Sequence, residues 1–485
     1  APPPAAPVAP VPRGATVALS LREAVALTLA NNLDIRIEAL TPEIRAAEIR
    51  QEEGAFDPTL GARAEAAHDR TPRLAGADLD SRGREPRTLT GEVTLGQRLP
   101  LGTRYDLSYA TERLSTRSTV LPNPAYSADV LLQVTQPLLR NFGADINRTA
   151  IVVARGNRDI AAANFRRQLL QSVFTTIQLY WTLVQNLDAL DAARESLRLA
   201  RQLLERNRVQ VQVGTMAPIE VTQAEAGVAA REEAVIVAEA AVRDTEDRLK
   251  RALLVDADNV FDYTITPTDR PEFAPAEIEL APFLEAALRL RPELAAARTE
   301  VRNQEANLRL ALNQRLPELN LVGSVGVAGL DDQPGGAHED LGREAGEQYR
   351  WSLGLVFSYP LGNRTARAQV AAQELALRQR RTALRNLELQ VAEEVRAAVR
   401  AVNTNIQRVR ATREATRLAR AQLEAEERRL AVGLSTSFEV LRLQADLATA
   451  RNAEIRALAD YRISLAALDR AVGTLLDRVG VLIKE

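Results

Sequence analysis

Cysteine is absent from the 485 residues. That excludes a disulfide framework, a zinc–thiolate site and a cysteine nucleophile, and is compatible with any compartment. Lysine is almost absent too: Lys250 and Lys484 leave arginine as 60 of the 62 basic residues. The skew reads as genomic base-composition bias rather than phosphate recognition. The two histidines, His68 and His338, fall near predicted loops without a second ligand at metal spacing, so both read as surface residues. No Ser-His-Asp set, P-loop or dinucleotide glycine motif occurs. Acidic pairs such as Glu52-Glu53 and Glu393-Glu394 read as solvated helix charge. These residues thus offer no candidate catalytic, cofactor-binding or metal site. Excess charge is also missing: a net charge of -2 points to neither nucleic acid nor anionic lipid. No apolar run approaches the roughly 18 residues of a membrane-spanning helix.

The chain opens on Ala1-Pro2-Pro3-Pro4 and stays rich in Pro and Ala to Pro12. It has neither a charged n-region nor an apolar h-region, so no signal peptide is expected there. Segment 1–17 is expected to be extended and solvated, as in a processed terminus or a linker.

The most informative positive feature is a repeat. Val213-Gly214-Thr215 recurs as Val432-Gly433-Leu434, 219 positions later, and Glu220-Val221 recurs at the same shift as Glu439-Val440. Upstream, Leu169, Thr176, Leu183, Leu190, Leu197, Leu204 and Val211 are spaced by seven. From Thr176 onward they map onto Val395, Val402, Val409, Thr416, Leu423 and Leu430. Downstream, Val221, Val228, Val235, Val242 and Leu249 map onto Val440, Leu447, Glu454, Tyr461 and Leu468. A seven-residue apolar period over five or more heptads is a coiled-coil signal, and two copies imply one structural unit used twice. The long helices are predicted over about 146–211 and 365–430, roughly 100 Å each at ~1.5 Å per residue. Each turns back at its glycine into a shorter helix, about 218–254 or 437–476.

Each half begins alike. Ser20-Leu21-Arg22-Glu23 has capping-box spacing and starts a short helix, followed by a second over about 33–53. Residues 280–290 and 292–314 match these, and Pro317 matches Pro58 at a shift of 259. The period then changes to two. Trp351, Leu353, Leu355, Phe357 and Tyr359 alternate with polar or small residues, opposite Leu319, Leu321, Gly323, Val325 and Val327, with a polar Gly-rich loop over 329–346. Val130, Leu132 and Val134, and Tyr105, Leu107 and Tyr109, alternate similarly in the first half. Pro137 and Pro360 close the two strand blocks at a shift of 223, so the first block holds 36 extra residues. Those contain a hairpin, 89–99 and 103–113, turning at Pro100-Leu101-Gly102. It either adds strands to the sheet or folds outside as a lobe, and its alternation favours the sheet. The domain reading is thus segment 1–17, then 18–270 with strands in 56–137 and a helical hairpin over 144–254, then 271–480 with strands in 317–360 and a hairpin over 364–476.

One such hairpin cannot bury its faces alone, so a ring of hairpins is predicted. A small sheet with two open edges is best closed by copies from other subunits. With its apolar face outward, the resulting barrel suits a lipid bilayer. Aromatic residues make up only 4% of the chain, yet Phe56, Tyr105, Tyr109, Tyr126, Tyr349, Trp351, Phe357 and Tyr359 all lie in the strand blocks, as a membrane-interface girdle requires. The alternatives are a soluble β-layer, or a coiled-coil scaffold without a pore.

The order of short helix, helix, strands, Pro, very long helix, Val-Gly-x turn and helix, all duplicated, resembles the TolC-like outer-membrane efflux proteins (outer membrane factors). The most specific stretches are 210–251, with Val213-Gly214-Thr215 and Glu220-Val221, and 429–473, with Val432-Gly433-Leu434 and Glu439-Val440-Leu441. The resemblance implies a mainly α chain with a transmembrane β-barrel: a trimeric α-barrel/β-barrel tunnel of two tandem repeats per chain, in the bacterial outer membrane and extending into the periplasm. It implies a passive exit duct for efflux or type I secretion, with no covalent chemistry, so no enzyme. Its partners would be a periplasmic adaptor and an inner-membrane pump of RND or ABC type, with no nucleic acid. Val213, Gly214, Thr215, Val432, Gly433, Leu434 and Ser435 would then be adaptor-docking tips, or the glycines simply permit the reversal. Glu439 matches a position of the family's acidic pore ring and Glu220 an acidic partner position. Arg442 stands where the family type has an acid. Glu439 and Arg442, three apart on a helix, are placed to pair and bring the ring closer to neutral. The family type has four strands per chain and 12 per trimer; six here would give 18. A periplasmic adaptor, with one shorter hairpin and flanking β-domains, does not fit the duplication.

Overall fold

The computed structural model describes residues 15–69, 86–116, 123–253, 261–343 and 348–480. Residues 1–14 of the Pro/Ala-rich segment lie outside the described residues. The order is β1 (Thr16–Leu19), α1 (Leu21–Asn31), α2 (Leu33–Glu53), a 3-10 turn (Gly54–Phe56), β2 (Thr59–His68), β3 (Arg87–Arg98), β4 (Arg104–Ser115), β5 (Ala125–Pro137), α3 (Ala144–Asn147), α4 (Thr149–Gln212) and α5 (Ile219–Leu253). It continues with β6 (Thr264–Pro267), α6 (Leu280–Leu290), α7 (Pro292–Gln314), β7 (Glu318–Asp331), α8 (Gly336–Arg343), β8 (Tyr349–Ser358), α9 (Arg364–Ala431), α10 (Ser437–Val472) and α11 (Leu475–Arg478). The chain is mostly helical, and none of the described helices is long and apolar enough to cross a membrane.

The contacts divide the chain into two units. The first comprises the described residues within Ala1–Glu43, Ile160–Arg298 and Ala383–Glu485. Its helices start where local chemistry dictates. Ser20 and Glu23 form the expected capping box: Glu23 N–H donates to Ser20 Oγ at 3.3 Å, and Ser20 N–H donates to Glu23 Oε2 at 2.9 Å. That backbone donor, together with the Ser20 hydroxyl, holds the Glu23 carboxyl below its ordinary range. The heptad residues Thr176, Leu183, Leu190 and Leu204 are buried, as are Val395, Val402, Val409, Thr416 and Leu423. Two main clusters form. One gathers Tyr180, Trp181 and Leu183 with Leu249, Leu253 and Ile265; the other gathers Val391, Val395, Val402 and Val409 with Ala287, Leu294, Tyr461 and Leu468. Each fully buried Val or Leu contributes about 1.5–3 kcal/mol.

A short parallel pairing of β1 with β6, from Thr16 on Thr264 to Leu19 on Pro267, is not apparent in the sequence. Tyr180 fixes its end. The phenol donates to the Leu19 carbonyl at 3.0 Å and accepts from the Asp269 N–H at 3.2 Å, while Asp269 Oδ2 accepts from the Leu21 N–H at 2.6 Å. Burial pushes this phenol up to about 12, so it stays a neutral donor at physiological pH. Lys250 is also buried here, 3.2 Å from Glu246 and 5.2 Å over the Tyr263 ring. Glu246 accepts from the Ile265 N–H at 2.7 Å, so the pair pins β6 to α5.

The second unit comprises the described residues within Ile44–Asp159 and Thr299–Thr382. It holds a six-stranded sheet in the order β2-β3-β4-β5-β7-β8, antiparallel throughout. The extra hairpin is therefore part of the sheet: β3 and β4 lie between β2 and β5. Its turn closes with Leu99 N–H donating to the Thr103 carbonyl at 2.7 Å and with Gly102 at φ +97. Of the loop expected over 329–346, residues 344–346 lie outside the described residues, and much of the rest is regular structure. β7 runs on to Asp331, and α8 forms because Ala337 is buried against Gly329, where a Cβ would collide with the Ala337 carbonyl. His68 ends β2, and His338 lies in α8 with its ring 6.1 Å from that of Tyr109.

Candidate functional site: helix turns and the two-faced sheet

Both long helices end in the same motif. Gly214 N–H donates to the Val211 carbonyl and Thr215 N–H to the Gln210 carbonyl; Gly433 N–H donates to Leu430 and Leu434 N–H to Arg429. Both glycines have φ +77. This is the Schellman ending, which needs a left-handed residue where a Cβ is strained. Around the turns the apolar side chains are bare: Val213 is 66%, Val432 70% and Leu434 69% exposed. Ser435 is anchored, its hydroxyl donating to Glu426. That bond holds the Glu426 carboxyl below its ordinary range, with Arg429 assisting.

Two apolar residues were missed in the sequence. Ile219 is 58% and Phe438 56% exposed, and both start the return helices at the same 219 shift. That shift is the signal in the sequence that marks them.

Asn207 was missed as well. It is fully buried on α4, donates to the Glu220 carbonyl at 3.2 Å and accepts from the Ser437 hydroxyl at 3.2 Å. The first turns of α5 and α10 are thereby tied to one side chain. Further along, Arg231 of α5 donates to the Leu441 carbonyl of α10 at 3.0 Å, and a Cβ on Gly227 would sit 3.1 Å from Leu441. Burial lowers the Arg231 pKa from its ordinary value. Glu439 and Arg442 do pair: Nη2 is 2.7 Å and Nε 3.1 Å from Glu439 Oε2. Glu220 does not join them, and its Oε2 is buried without a hydrogen-bond partner among the described residues. Among those residues no cluster of His, Cys, Asp or Glu could hold a metal ion.

The sheet's register sorts its residues into two faces, because residues directly opposite share a face. Ala62, Val93, Tyr109, Val130, Val327 and Tyr349 form one row across all six strands. Two positions along, Leu60, Leu95, Leu107, Leu132, Val325 and Trp351 form the next. The other face carries Arg63, Glu65, Glu92, Asp106, Asp129 and Arg350 by the same register. There Arg350 reaches Asp129 at 2.6 Å, across a strand position kept clear by Gly326, and Arg104 meets Asp106 at 2.9 Å.

The eight aromatic positions are spread along the strands. Tyr109, Tyr126 and Tyr349 lie toward the Asp331 end and Phe357 and Tyr359 toward the Glu318 end, with Tyr105 and Trp351 between. Phe56 precedes β2 and packs on Ile49, Ile151 and Ala154. Trp351, Leu353, Leu355 and Phe357 are each about two-thirds exposed, at 68%, 67%, 65% and 66%. Such a contiguous apolar surface marks a membrane or protein contact.

Comparison with known proteins identifies this architecture. Residues 101–253 and 283–474 match the family described as outer membrane efflux protein. The outer membrane protein TolC of Vibrio cholerae is 25% identical over 315 residues, 63% of this chain and 68% of that protein. The fold is that of the outer-membrane channel OprN, with TM-score 0.71 and 17% identity over 94% of this chain and 90% of that one. The Campylobacter jejuni CmeC outer membrane channel gives a TM-score of 0.68 at 16% identity, covering 94% and 86%. The chain thus belongs to the outer membrane efflux protein family, TolC-like channels of the bacterial outer membrane.

Proposed function

We propose that this protein is a passive exit duct, not an enzyme, for a tripartite efflux pump or type I secretion system. Three copies, each of two tandem structural repeats, form one tunnel that extends into the periplasm. A periplasmic adaptor seats on the helix turns, and an inner-membrane pump of RND or ABC type supplies the energy. The observation that carries this is the two-faced sheet with two free edges. β2 and β8 are ten residues each, both fully exposed, and run antiparallel to one another across the sheet. An edge pair of equal length and opposite direction is what barrel closure by copies requires. The apolar face then meets lipid, its aromatics form the interface girdle, and Arg350, Asp129 and their neighbours line water. Three sheets of six strands give an 18-stranded barrel. At ~4.8 Å spacing and ~40° tilt its backbone radius is about 18 Å, against about 12 Å for 12 strands.

Exposed Val213, Val432, Leu434, Ile219 and Phe438 supply the apolar contacts for an adaptor. Inside the turns, the Glu439–Arg442 pair leaves a near-neutral constriction ring, and Glu220 contributes from the matching position of α5 without joining that pair.

Planar-bilayer recording of detergent-extracted, heat-modifiable trimers tests this. The native channel is expected to conduct with weak ion preference, and Arg442→Asp to raise cation over anion preference at least twofold. Unchanged selectivity would remove the ring from the account. A protein released without detergent as a non-conducting coiled coil would favour the scaffold instead.

A further inference from the structure

We infer that the outward face of the sheet binds a phosphorylated glycolipid of the outer leaflet, with Arg87 and Arg113 holding its phosphates. The inference rests on the channel reading, in which the apolar face meets lipid, and adds a ligand to that face. The register decides which residues the face carries. Its apolar rows run eight positions along β7, from Leu319 opposite Phe357 to Val327 opposite Tyr349. At ~3.3 Å per residue and ~40° tilt that is a band of about 20 Å, close to the ~25 Å of an outer-membrane barrel. Beyond the band, toward the Asp331 end, the same face continues. There Arg113 lies opposite Leu89 and Tyr126, and Arg87 opposite His68 and Ser115.

Charge on this face is one-sided. Among the described strand residues its arginines are Arg87 and Arg113, both exposed and both at the Asp331 end. The one carboxylate that shares the face is Asp331, which accepts from the Gln333 N–H of its own loop at 2.9 Å. Glu65, Glu92, Glu112 and Asp129 all lie on the opposite face. Among the described residues neither guanidinium is taken up by an ion pair; that of Arg113 lies 6.0 Å over the Tyr126 ring. The net charge of -2 conceals this, because the balancing acids are elsewhere in the fold.

The geometry suits a phosphorylated headgroup above acyl chains. Arg87 and Arg113 are diagonal neighbours on adjacent strands, with Cβ atoms roughly 7–8 Å apart, and His68 flanks Arg87. Two planar guanidiniums at that spacing fork the phosphates of one headgroup. Arg113 stands four positions beyond Tyr109, about 10 Å further across the membrane, where its side chain snorkels into the headgroup layer. Below it, exposed Leu89, Val93, Leu95 and Leu107 give the acyl chains a floor. Beside it, α8 covers the same face: the Ala337 carbonyl lies where a Cβ on Gly329 would stand, and Ala128 is fully buried. The open seat is thus confined to β2, β3 and β4. Helices α2 and α7 enter the sheet, and α3 and α9 follow it, at its opposite end. In the channel reading the arginine end is therefore extracellular, and the lipid is the outer leaflet's glycolipid, which carries phosphates on its sugars. At the helical end the face has Gln97 and Gln136 and no arginine.

Detergent-purified trimers titrated with diphosphoryl lipid A, dephosphorylated lipid A or phosphatidylglycerol, with bound lipid counted by native mass spectrometry, provide the test. Diphosphoryl lipid A is expected to bind at least tenfold tighter than either comparison lipid. Arg87→Gln with Arg113→Gln is expected to abolish that preference, and Arg63→Gln, on the polar face of β2, to keep it. Equal binding of the two lipid A forms by the native trimer would overturn the inference without any variant. Equal binding of phosphatidylglycerol would mean a general anion contact and would also overturn it, as would an undiminished preference in the double variant. Each of those results leaves the channel reading standing. Absence of any trimer in the unboiled native protein would instead defeat the channel reading, and this inference with it.

Discussion

Gly433→Trp, and separately Gly214→Trp, should reduce dye efflux at least tenfold, to the level of cells lacking the channel, while trimers accumulate normally. Both glycines sit at φ +77 with nothing within 4 Å of where a Cβ would lie. A side chain there meets no clash; it costs only the left-handed strain, about 1–2 kcal/mol. The indole would project among Val432, Leu434 and Phe438, or among Val213 and Ile219, the exposed apolar residues of the turns. Alanine at the same positions carries the same strain without the bulk. Efflux retained by Gly433→Ala and lost by Gly433→Trp would separate docking from mere permission to turn. Normal efflux from both tryptophan variants would show that nothing seats on these turns.

Leu353→Arg should nearly abolish assembled channel in the outer membrane. Leu353 lies mid-strand on β8, opposite Gly323, in the apolar row with Val134 and Tyr105. An arginine facing lipid near the bilayer midplane costs about 2–4 kcal/mol per chain, and three copies insert together. Ser352→Arg, one residue away, points to the polar face beside Ser324, whose hydroxyl lies 2.8 Å from that of Ser352. It should assemble at near-native levels. Heat-modifiable trimer in outer-membrane fractions is the readout. Equal assembly of both variants would mean that the apolar face does not meet lipid.

How much of this was legible depended on the range of each signal. The heptads over 169–211 and 395–430 repeat locally, and the burial of Leu169, Thr176, Leu183, Leu190 and Leu204, and of Val395, Val402, Val409, Thr416 and Leu423, follows that period. The Gly turns and the Ser20 capping box are equally local. Period-two alternation exposed β8 through Trp351 and Phe357, but β2 is Gly61-Ala62-Arg63-Ala64, an Ala-rich run that only its neighbour β3 makes a strand. The β1–β6 pair joins four-residue strands 248 positions apart, too short and too distant to announce themselves. Asn207 has no periodic signature; it matters because three helix segments converge on it. The Glu439–Arg442 pair was legible because three residues is one helical neighbour. The exposure of Leu33, Ile37, Leu40 and Ile44 on α2 was not, since their spacing looks like that of any buried face.

The central claim is that several copies enclose one continuous lumen because no single chain can cover its own apolar surfaces. A density map of the intact protein in lipid nanodiscs tests it most directly. Three chains around an open tube, with 18 strands in the bilayer and β2 of each paired to β8 of the next, is the expected result. A single chain with no lumen, or a β-layer lying outside the lipid, would contradict it.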